Sequence, residues 1–225
     1  MNRRGLLQSF SALALFGLGA SAQADAVSDF QTAIVRDNFV TIRRLLQQGI
    51  DPNIQDGRGS PALVKAMQLD SWRVAQALLQ APGIDVNAAN AGGETPLMYA
   101  CIKGQVDWVR QLLRMGAKVN HPGWTPLHYA ASADTPHSVE IAALLLEHHA
   151  YIDAQSPNQS TPLMLAAQYG SEAMVNLLLS AGADVQLRNQ LGLTAVDFAR
   201  RSEREFMVLM LDKALNASRK STSSW

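Results

Sequence analysis

Residues 161–183, TPLMLAAQYGSEAMVNLLLSAGA, decide the fold of this chain. Thr161 has a side chain that can cap the N-terminus of a helix, and Pro162 is tolerated at the first helical position. The alanines that follow let two helices approach closely, and Gly182 supplies the left-handed turn that ends the second helix. The stretch therefore predicts two short helices joined by a turn and closed by a glycine.

The leucine pair inside this stretch recurs along the chain at a nearly fixed period. The intervals between successive pairs are 33, 34, 33 and 33 residues. The pairs are Leu45/Leu46, Leu78/Leu79, Leu112/Leu113, Leu145/Leu146 and Leu178/Leu179. A unit of this length with one apolar seam cannot bury that seam alone, so neighbouring copies must stack and share a continuous core.

A second motif precedes three of the leucine pairs. It reads TPLMYA from Thr95, TPLHYA from Thr125 and TPLMLA from Thr161. Together with the leucine pairs and the Gly-Ala exit turns, this motif resembles the ankyrin repeat. The resemblance implies an all-α ankyrin repeat solenoid of about six repeats, two of them caps, with short β-hairpin fingers. It also implies that the finger tips and the inner helices, the first of each pair, face one concave groove.

The predicted ankyrin repeat domain covers residues 27–215. Repeats one to six are placed at 27–53, 54–87, 88–120, 121–153, 154–186 and 187–215. A capping-box pattern from Ser28 to Gln31 is expected to start the first helix. The Ser- and Lys-rich residues 216–225 are expected to form a flexible tail.

Repeat four departs from the regular spacing while the leucine pairs keep step. The finger at 120–124 is short, and the turn between the two helices at 132–137 is long. Loops can drift freely because the core does not depend on them, and they also carry binding function in many proteins. The two changes therefore have two interpretations, neutral drift and a remodelled binding edge.

Residues 1–24 are predicted to be a cleaved export signal. Arg3 and Arg4 form a positive head, residues 6–18 are apolar, and residues 20–24 contain two Ala-x-Ala cleavage patterns. A membrane anchor would need about 20 apolar residues, and this segment is shorter. The arginine pair also resembles a twin-arginine signal, which leaves both that route and the general secretory route open. We expect a bacterial periplasmic protein with no membrane span after signal removal.

Composition and motifs argue against nucleic-acid binding, metal binding and catalysis. The 19 basic residues balance 19 acidic ones, and no basic stripe is present. His128 and His137 stand at opposite ends of one predicted helix, so they cannot share a metal ion. The chain has no phosphate-binding Gly-rich loop and no Gly-x-Ser-x-Gly motif. Cys101 is predicted to be a buried small residue. We therefore expect no catalytic, cofactor or metal site.

The resemblance places a set of variable positions on the concave groove. They are Arg58, Glu94, Lys103, His121, Trp124, Asn158, Ser160, Gln168, Tyr169, Arg188, Gln190 and Arg201. Trp124 and Tyr169 stand out because large aromatic side chains are typical anchors of protein interfaces. We expect a monomeric, non-enzymatic module that binds a protein partner, for example as a helper of a periplasmic stress-defence enzyme. The alternatives are an immunity-type inhibitor of a toxin, a small-ligand carrier and an enzyme.

Overall fold

A computed structural model describes the backbone of residues 20–222 and the side chains of residues 23–218. Most of the predicted export signal, including both arginines and the apolar segment, lies outside the described residues. The chain divides into two compact units between Ile84 and Asp85, inside the predicted repeat domain. No helix among residues 20–222 combines the length and the hydrophobicity that a membrane span requires.

The described part of the first unit, residues 20–84, contains four helices. They are α1 Ala20–Val35, α2 Phe39–Gln47, α3 Ala62–Gln68 and α4 Trp72–Leu79. Helix α1 packs on α2 and α3, and α4 packs on both α2 and α3. The Ser71 hydroxyl donates to the carbonyl of Ile34 at 2.6 Å, and Asp37 Oδ1 accepts the N–H of Val74 at 2.9 Å. These two hydrogen bonds connect the pair α1 and α2 to the pair α3 and α4.

Eight further helices form the second unit. They are α5 Pro96–Ile102, α6 Val106–Arg114, α7 Pro126–Ser132, α8 Ser138–Glu147, α9 Pro162–Tyr169, α10 Glu172–Ser180, α11 Ala195–Arg201 and α12 Glu205–Thr222. The inner helices α5, α7, α9 and α11 pack in chain order, each against the next. Helices α6, α8 and α10 pack in the same order, so this unit has the two-helix layers that the repeat predicts.

The predicted helix starts are confirmed in the second unit. Thr95, Thr125, Thr161 and Thr194 are the N-caps of the four inner helices, and the side chain three residues on closes a capping box at each. At Thr161, for example, the hydroxyl accepts the N–H of Met164 at 3.4 Å. The motif threonine thus satisfies backbone donors that a helix start leaves free.

One leucine of each pair forms the seam. Leu45 and Leu78 in the first unit are 1% and 0% exposed, and Leu112, Leu145 and Leu178 in the second are all 0% exposed. The second leucine is half-buried in every pair except Leu78/Leu79. Consecutive residues point about 100° apart around a helix, so both leucines of a pair cannot face the centre of one seam.

The fingers contain no β-strand among residues 20–222, which corrects the predicted β-hairpins. An isolated bridge between Gln55 and Pro61 is the one β-type pairing found there. Polar side chains shape the tips instead. Asn90 Oδ1, for instance, accepts the N–H groups of Gly92 and Glu94 at 2.9 Å and 3.0 Å. A backbone hydrogen bond, such as Asn90 N–H to Glu94 O at 3.1 Å, closes each turn together with these side-chain bonds, so no strand ladder is needed.

Asparagine side chains connect successive repeats at the base of the fingers. Asn87 Nδ2 donates to Gly116 O at 3.1 Å, and its Oδ1 accepts the N–H of Lys118 at 2.8 Å. Asn120 makes the same pair of bonds one repeat later, to His149 O at 2.7 Å and from Tyr151 N at 2.9 Å. Each amide therefore serves both a donor and an acceptor of the next exit turn.

The long turn of repeat four packs on repeat three. Thr135 lies so close to Gly104 that a Cβ added to the glycine would be 2.6 Å from Thr135 Oγ1. Gly104 also has a positive φ of 67°, a backbone conformation that costs free energy in residues with a side chain. The turn at 132–137 therefore seats against a position that only glycine leaves open.

Both ends of the described chain are more helical than predicted. Helix α1 begins at Ala20, so Ser28 lies inside it and does not start it. Residues 20–27 contain four alanines, the residue with the highest helix propensity, which favours this extension. Helix α12 continues to Thr222, through most of the segment expected to be a tail.

Candidate functional site

A groove of about 410 Å³ lies over the inner helices of the second unit. Helix α7 and α9 form most of its lining, with one residue each from α5 and α11. Five of the predicted site residues line it: Trp124, Asn158, Ser160, Gln168 and Tyr169. Six residues that were not predicted complete the lining: Ile102, His128, Tyr129, Ser132, Leu165 and Phe198. We refer to this set of residues as the groove.

Several of the unpredicted residues share one position in the repeat. Tyr129, Leu165 and Phe198 are each the fourth residue after the threonine that caps their helix. Because equivalent positions in stacked repeats lie next to one another, these three side chains form a row across α7, α9 and α11. This row was visible in the sequence as an apolar or aromatic residue at a fixed offset from the motif threonine.

Trp124 stands over a buried histidine. The rings of Trp124 and His128 meet edge to face, with centroids 5.4 Å apart and an interplanar angle of 81°. His128 is 0% exposed, and its Nε2 lies 3.0 Å from the carbonyl oxygen of Ser160. A carbonyl can only accept, so Nε2 carries the proton, and Nδ1 accepts the N–H of Thr125 at 3.2 Å. Trp124 therefore rests on a side chain whose two nitrogens are both engaged.

Burial of His128 lowers the pKa of its imidazole to about 4, although the hydrogen bond to Ser160 favours the charged form. The ring is therefore neutral at physiological pH. It joins repeat four to the finger of repeat five and supports the floor of the groove.

Glu94 is held by hydroxyl groups from two inner helices. Its carboxylate accepts from Tyr99 at 2.7 Å, from Tyr129 at 2.8 Å and from the amide of Asn90 at 2.8 Å. Partial burial disfavours the charged form of Glu94, but the hydrogen bonds outweigh it and the pKa of the carboxyl is lowered. All three donors are uncharged, so the site keeps a negative charge beside Tyr129, which also lines the groove.

Ser160 presents an unusual hydroxyl. The residue is 1% exposed and lines the groove, yet its Oγ has no hydrogen-bond partner. The backbone of Ser160 is satisfied, because its N–H donates to Ser156 Oγ at 3.0 Å and its carbonyl accepts from His128. Most buried hydroxyl groups are paired, and Ser60 Oγ and Thr135 Oγ1 are two further exceptions among the described residues.

Other predicted site residues lie elsewhere. Lys103 lines a second pocket with Gly104, Thr135 and Glu140, beside the long turn of repeat four. Arg58 belongs to the first unit, where its N–H donates to Asp56. These positions do not share the groove.

Further predicted residues serve the fingers or are exposed. Gln190 donates to Pro157 O at 3.1 Å, and Arg188 donates to Gly192 O at 2.6 Å. His121 has Nδ1 3.1 Å from Pro122 O. Arg201 is exposed at the end of α11. Arg188 and Gln190 therefore act within the last fingers of the second unit.

Reactive groups are scarce in the described part of the chain. Burial raises the pKa of the Cys101 thiol, which is 0% exposed. Among residues 23–218, no three His, Cys, Asp or Glu side chains converge in a way that could hold a metal ion.

Comparison with known proteins identifies the family. The sequence profile described as "Ankyrin repeats (3 copies)" matches residues 30–122, 74–156, 119–189 and 138–220 in overlapping registers. These matches cover most of the chain, which therefore belongs to the ankyrin repeat family. Repeats of this family mediate protein–protein interactions.

Relatives include much longer proteins. The chain is 30% identical over 161 residues to Transient receptor potential cation channel subfamily A member 1 of Homo sapiens, covering 68% of this chain and 14% of that protein. It is 44% identical over 115 residues to Ankyrin repeat and SOCS box protein 16 of Homo sapiens, covering 49% and 25%. Ankyrin repeat protein nuc-2 of Neurospora crassa is 34% identical over 139 residues, covering 60% and 13%. The chain thus spans a quarter or less of each of these relatives.

Proposed function

We propose that this chain is a non-enzymatic module whose groove binds a protein partner. The observation that carries the proposal is the grouping of Trp124, Tyr169 and Phe198 with the polar groups of Asn158 and Gln168 on one open surface. Tyr169 is 56% exposed, so its ring is accessible to a partner. Aromatic anchors surrounded by polar groups are typical of protein interfaces.

Rigid support for the groove favours affinity. Trp124 is braced by His128, and Tyr129 is fixed by Glu94, so neither ring has to be ordered when a partner binds. Immobilising a free side chain on binding costs about 0.5 to 1.5 kcal/mol. Side chains that are already ordered avoid most of that cost.

A binding role accounts for the site better than catalysis does. Both nitrogens of His128 are used in hydrogen bonds, so the imidazole has no free lone pair with which to act as a base. The Cys101 thiol is buried and protonated, which leaves no nucleophile there. The groove is lined by groups that recognise a surface and not by a nucleophile with an adjacent base.

We further propose that the protein is bacterial and is exported to the periplasm. Support comes from the arginine pair, the short apolar segment and the Ala-x-Ala patterns of residues 1–24. The partner is then another exported protein. A stress-defence enzyme that this module assists is the first candidate class, and a toxin that it inhibits is the alternative. N-terminal sequencing of the mature protein tests export, because an intact Met1 on a cytoplasmic protein would contradict it.

Site-directed crosslinking tests the binding role. A photoreactive amino acid at position 168, on the groove, should capture a partner in cells, and mass spectrometry then identifies it. With that partner purified, Trp124→Ala should weaken binding by at least about 2 kcal/mol, as truncation of a central aromatic anchor does. Titration calorimetry measures the change.

Lys118→Ala is the matched control. Lys118 is exposed on the exit turn after α6, away from the groove, so its side chain should not affect binding. Equal affinities for wild type and Trp124→Ala, with loss of binding in Lys118→Ala, would move the interface away from the groove.

A further inference from the structure

The groove contains a polar atom that the protein itself leaves unsatisfied. Ser160 Oγ is enclosed and has no hydrogen-bond partner, although Ser160 lines the groove together with the polar residues Asn158 and Gln168. A hydroxyl buried without a partner costs free energy, which a ligand bearing a donor or an acceptor can recover. Because this oxygen is enclosed, a bound group can pair with it only by displacing the side chains that cover it.

Apolar side chains line the same groove as Ser160. Ile102, Leu165 and Phe198 contribute aliphatic and aromatic carbon, and the rings of Trp124 and Tyr169 stand beside them. A volume of about 410 Å³ suits a few side chains of a linear segment. The groove thus offers apolar contact with one specific polar position inside it.

Fixed negative charge lies at one side of the same surface. Tyr129 contributes to the groove lining while its hydroxyl donates to Glu94, which places the carboxylate one tyrosine ring away from the groove. The donors to Glu94 are neutral, so they orient the charge without cancelling it. A basic side chain of a ligand is the complement of such a held carboxylate.

We infer that the groove binds a linear segment of the partner that carries an aromatic or leucine side chain, a hydrogen-bonding group for Ser160 and a lysine or arginine directed at Glu94. The inference rests on the proposed function, because it specifies which kind of protein segment the groove accepts. It predicts a preference for basic over acidic segments of equal hydrophobicity.

Peptide selection against the full chain tests this inference. Random twelve-residue peptides displayed on phage are panned on the immobilised protein, and enriched sequences are synthesised with a fluorescent label. Enriched peptides should combine Lys or Arg with Phe, Tyr, Trp or Leu. Enrichment of acidic or uncharged sequences, or no enrichment at all, would overturn the inference.

Variants of Glu94 separate charge from structure. Glu94→Gln should weaken the labelled basic peptide about tenfold, and it should leave nearly unchanged a peptide in which the basic residue is replaced by glutamine. Tyr99→Phe is the control, because it removes one hydrogen bond to the carboxylate and keeps the charge. If Tyr99→Phe and Glu94→Gln reduce binding of both peptides equally, Glu94 acts through folding and the inference fails.

Ser160→Ala gives an independent readout. Removing a hydroxyl that has no partner should leave the midpoint of urea unfolding unchanged or raise it. The same variant should weaken peptide binding about threefold to tenfold, because the ligand loses its hydrogen bond. Unchanged peptide affinity would remove Ser160 from the binding surface.

The outcomes distinguish this inference from the proposed function. A captured partner that depends on Trp124, but whose contact segment lacks a basic residue and is indifferent to Glu94→Gln, would refute the inference alone. If binding does not depend on Trp124 and the partner is not captured by crosslinking from position 168, the groove is not the interface.

Discussion

Repeats four and five differ at one position that decides how their inner helices are connected. Repeat four has His128 after Thr-Pro-Leu, and repeat five has Met164 at the same place. His128 closes the cap of its own helix and also reaches Ser160 O in the next repeat at 3.0 Å. The sulfur of Met164 accepts from Thr161 N at 3.4 Å, within its own repeat. One substitution thus turns a local cap into a polar link between repeats beneath the groove.

The exit turns show a second contrast between these repeats. Asn120 both donates to and accepts from the turn that follows it. At the exit turn of repeat five the equivalent residue is Asp153, the last residue of repeat four, which accepts the N–H of Asp184 at 3.1 Å but has no N–H to donate. Burial and the nearby Asp184 charge raise the pKa of the Asp153 carboxyl, against the hydrogen bond that lowers it. The two repeats therefore share an architecture and differ in how well its polar links are satisfied.

The largest expected effect comes from the leucine seam, which repeats four and five share. Leu145→Ala and Leu178→Ala should each lower the free energy of unfolding by about 2 to 5 kcal/mol, because both side chains are fully buried in the seam. Urea denaturation measures both. The half-buried Leu146 and Leu179 are controls, and Ala at either should cost clearly less. A larger loss at the second leucines would show that the seam has been placed on the wrong face.

Stability should depend on pH through His128 of repeat four, whereas Met164 of repeat five does not titrate. The pKa of His128 in the folded state is about 4, below the ordinary value of 6.5, so its contribution to stability is present above pH 6.5 and is lost as the pH falls toward 4. The loss should be about 3 kcal/mol between pH 7 and pH 4. Unfolding curves recorded across this range test it.

His128→Met gives repeat four the residue of repeat five. It should flatten the pH dependence between 6.5 and 4, while costing about 1 kcal/mol at pH 7 for the lost link to Ser160. An unaltered acid transition in His128→Met would assign the pH dependence to other groups.

The smallest expected effect comes from exchanging the residues of the exit turns. Asp153→Asn should raise stability at pH 7 by about 0.5 to 1 kcal/mol, because an amide supplies the missing donor. The sign follows from the raised pKa of Asp153, since stability provided by the protonated carboxyl is lost as the pH rises through that pKa. Asn120→Asp should have the opposite effect. Thermal unfolding of both variants decides, and two shifts of the same sign would contradict the comparison.

Much of the architecture follows from local sequence. The helix starts at Thr95, Thr125 and Thr161 were predictable because a cap and its helix are neighbours in the chain. The period of the leucine pairs predicted the seam, but it did not predict which leucine of each pair is buried there. Trp124 and Tyr169, which were both expected on the concave surface, line the same groove.

What was missed depends on contacts between repeats or on local backbone preferences. Tyr129 Oη meets Glu94 across 35 positions of sequence, and no motif within one repeat encodes that pair. The orphaned hydroxyl of Ser160 follows from packing, which a sequence does not display. The fingers were expected as β-hairpins, and they close as tight turns without strands, because a backbone bond such as Asn90 N–H to Glu94 O and the Asn90 side chain together complete each turn.

Because Cys101 is buried in α5, the rate at which a thiol reagent labels it measures how often repeat three opens. It is the one cysteine of the chain and is 0% exposed, with a thiol whose pKa is raised by burial. A thiol reagent can modify it only after repeat three opens, so the labelling rate is the product of an opening equilibrium and an intrinsic chemical rate. Helix α5 also carries Tyr99, whose hydroxyl donates to Glu94. A ligand that stabilises the Glu94 carboxylate should therefore slow the labelling of Cys101 without contacting its sulfur.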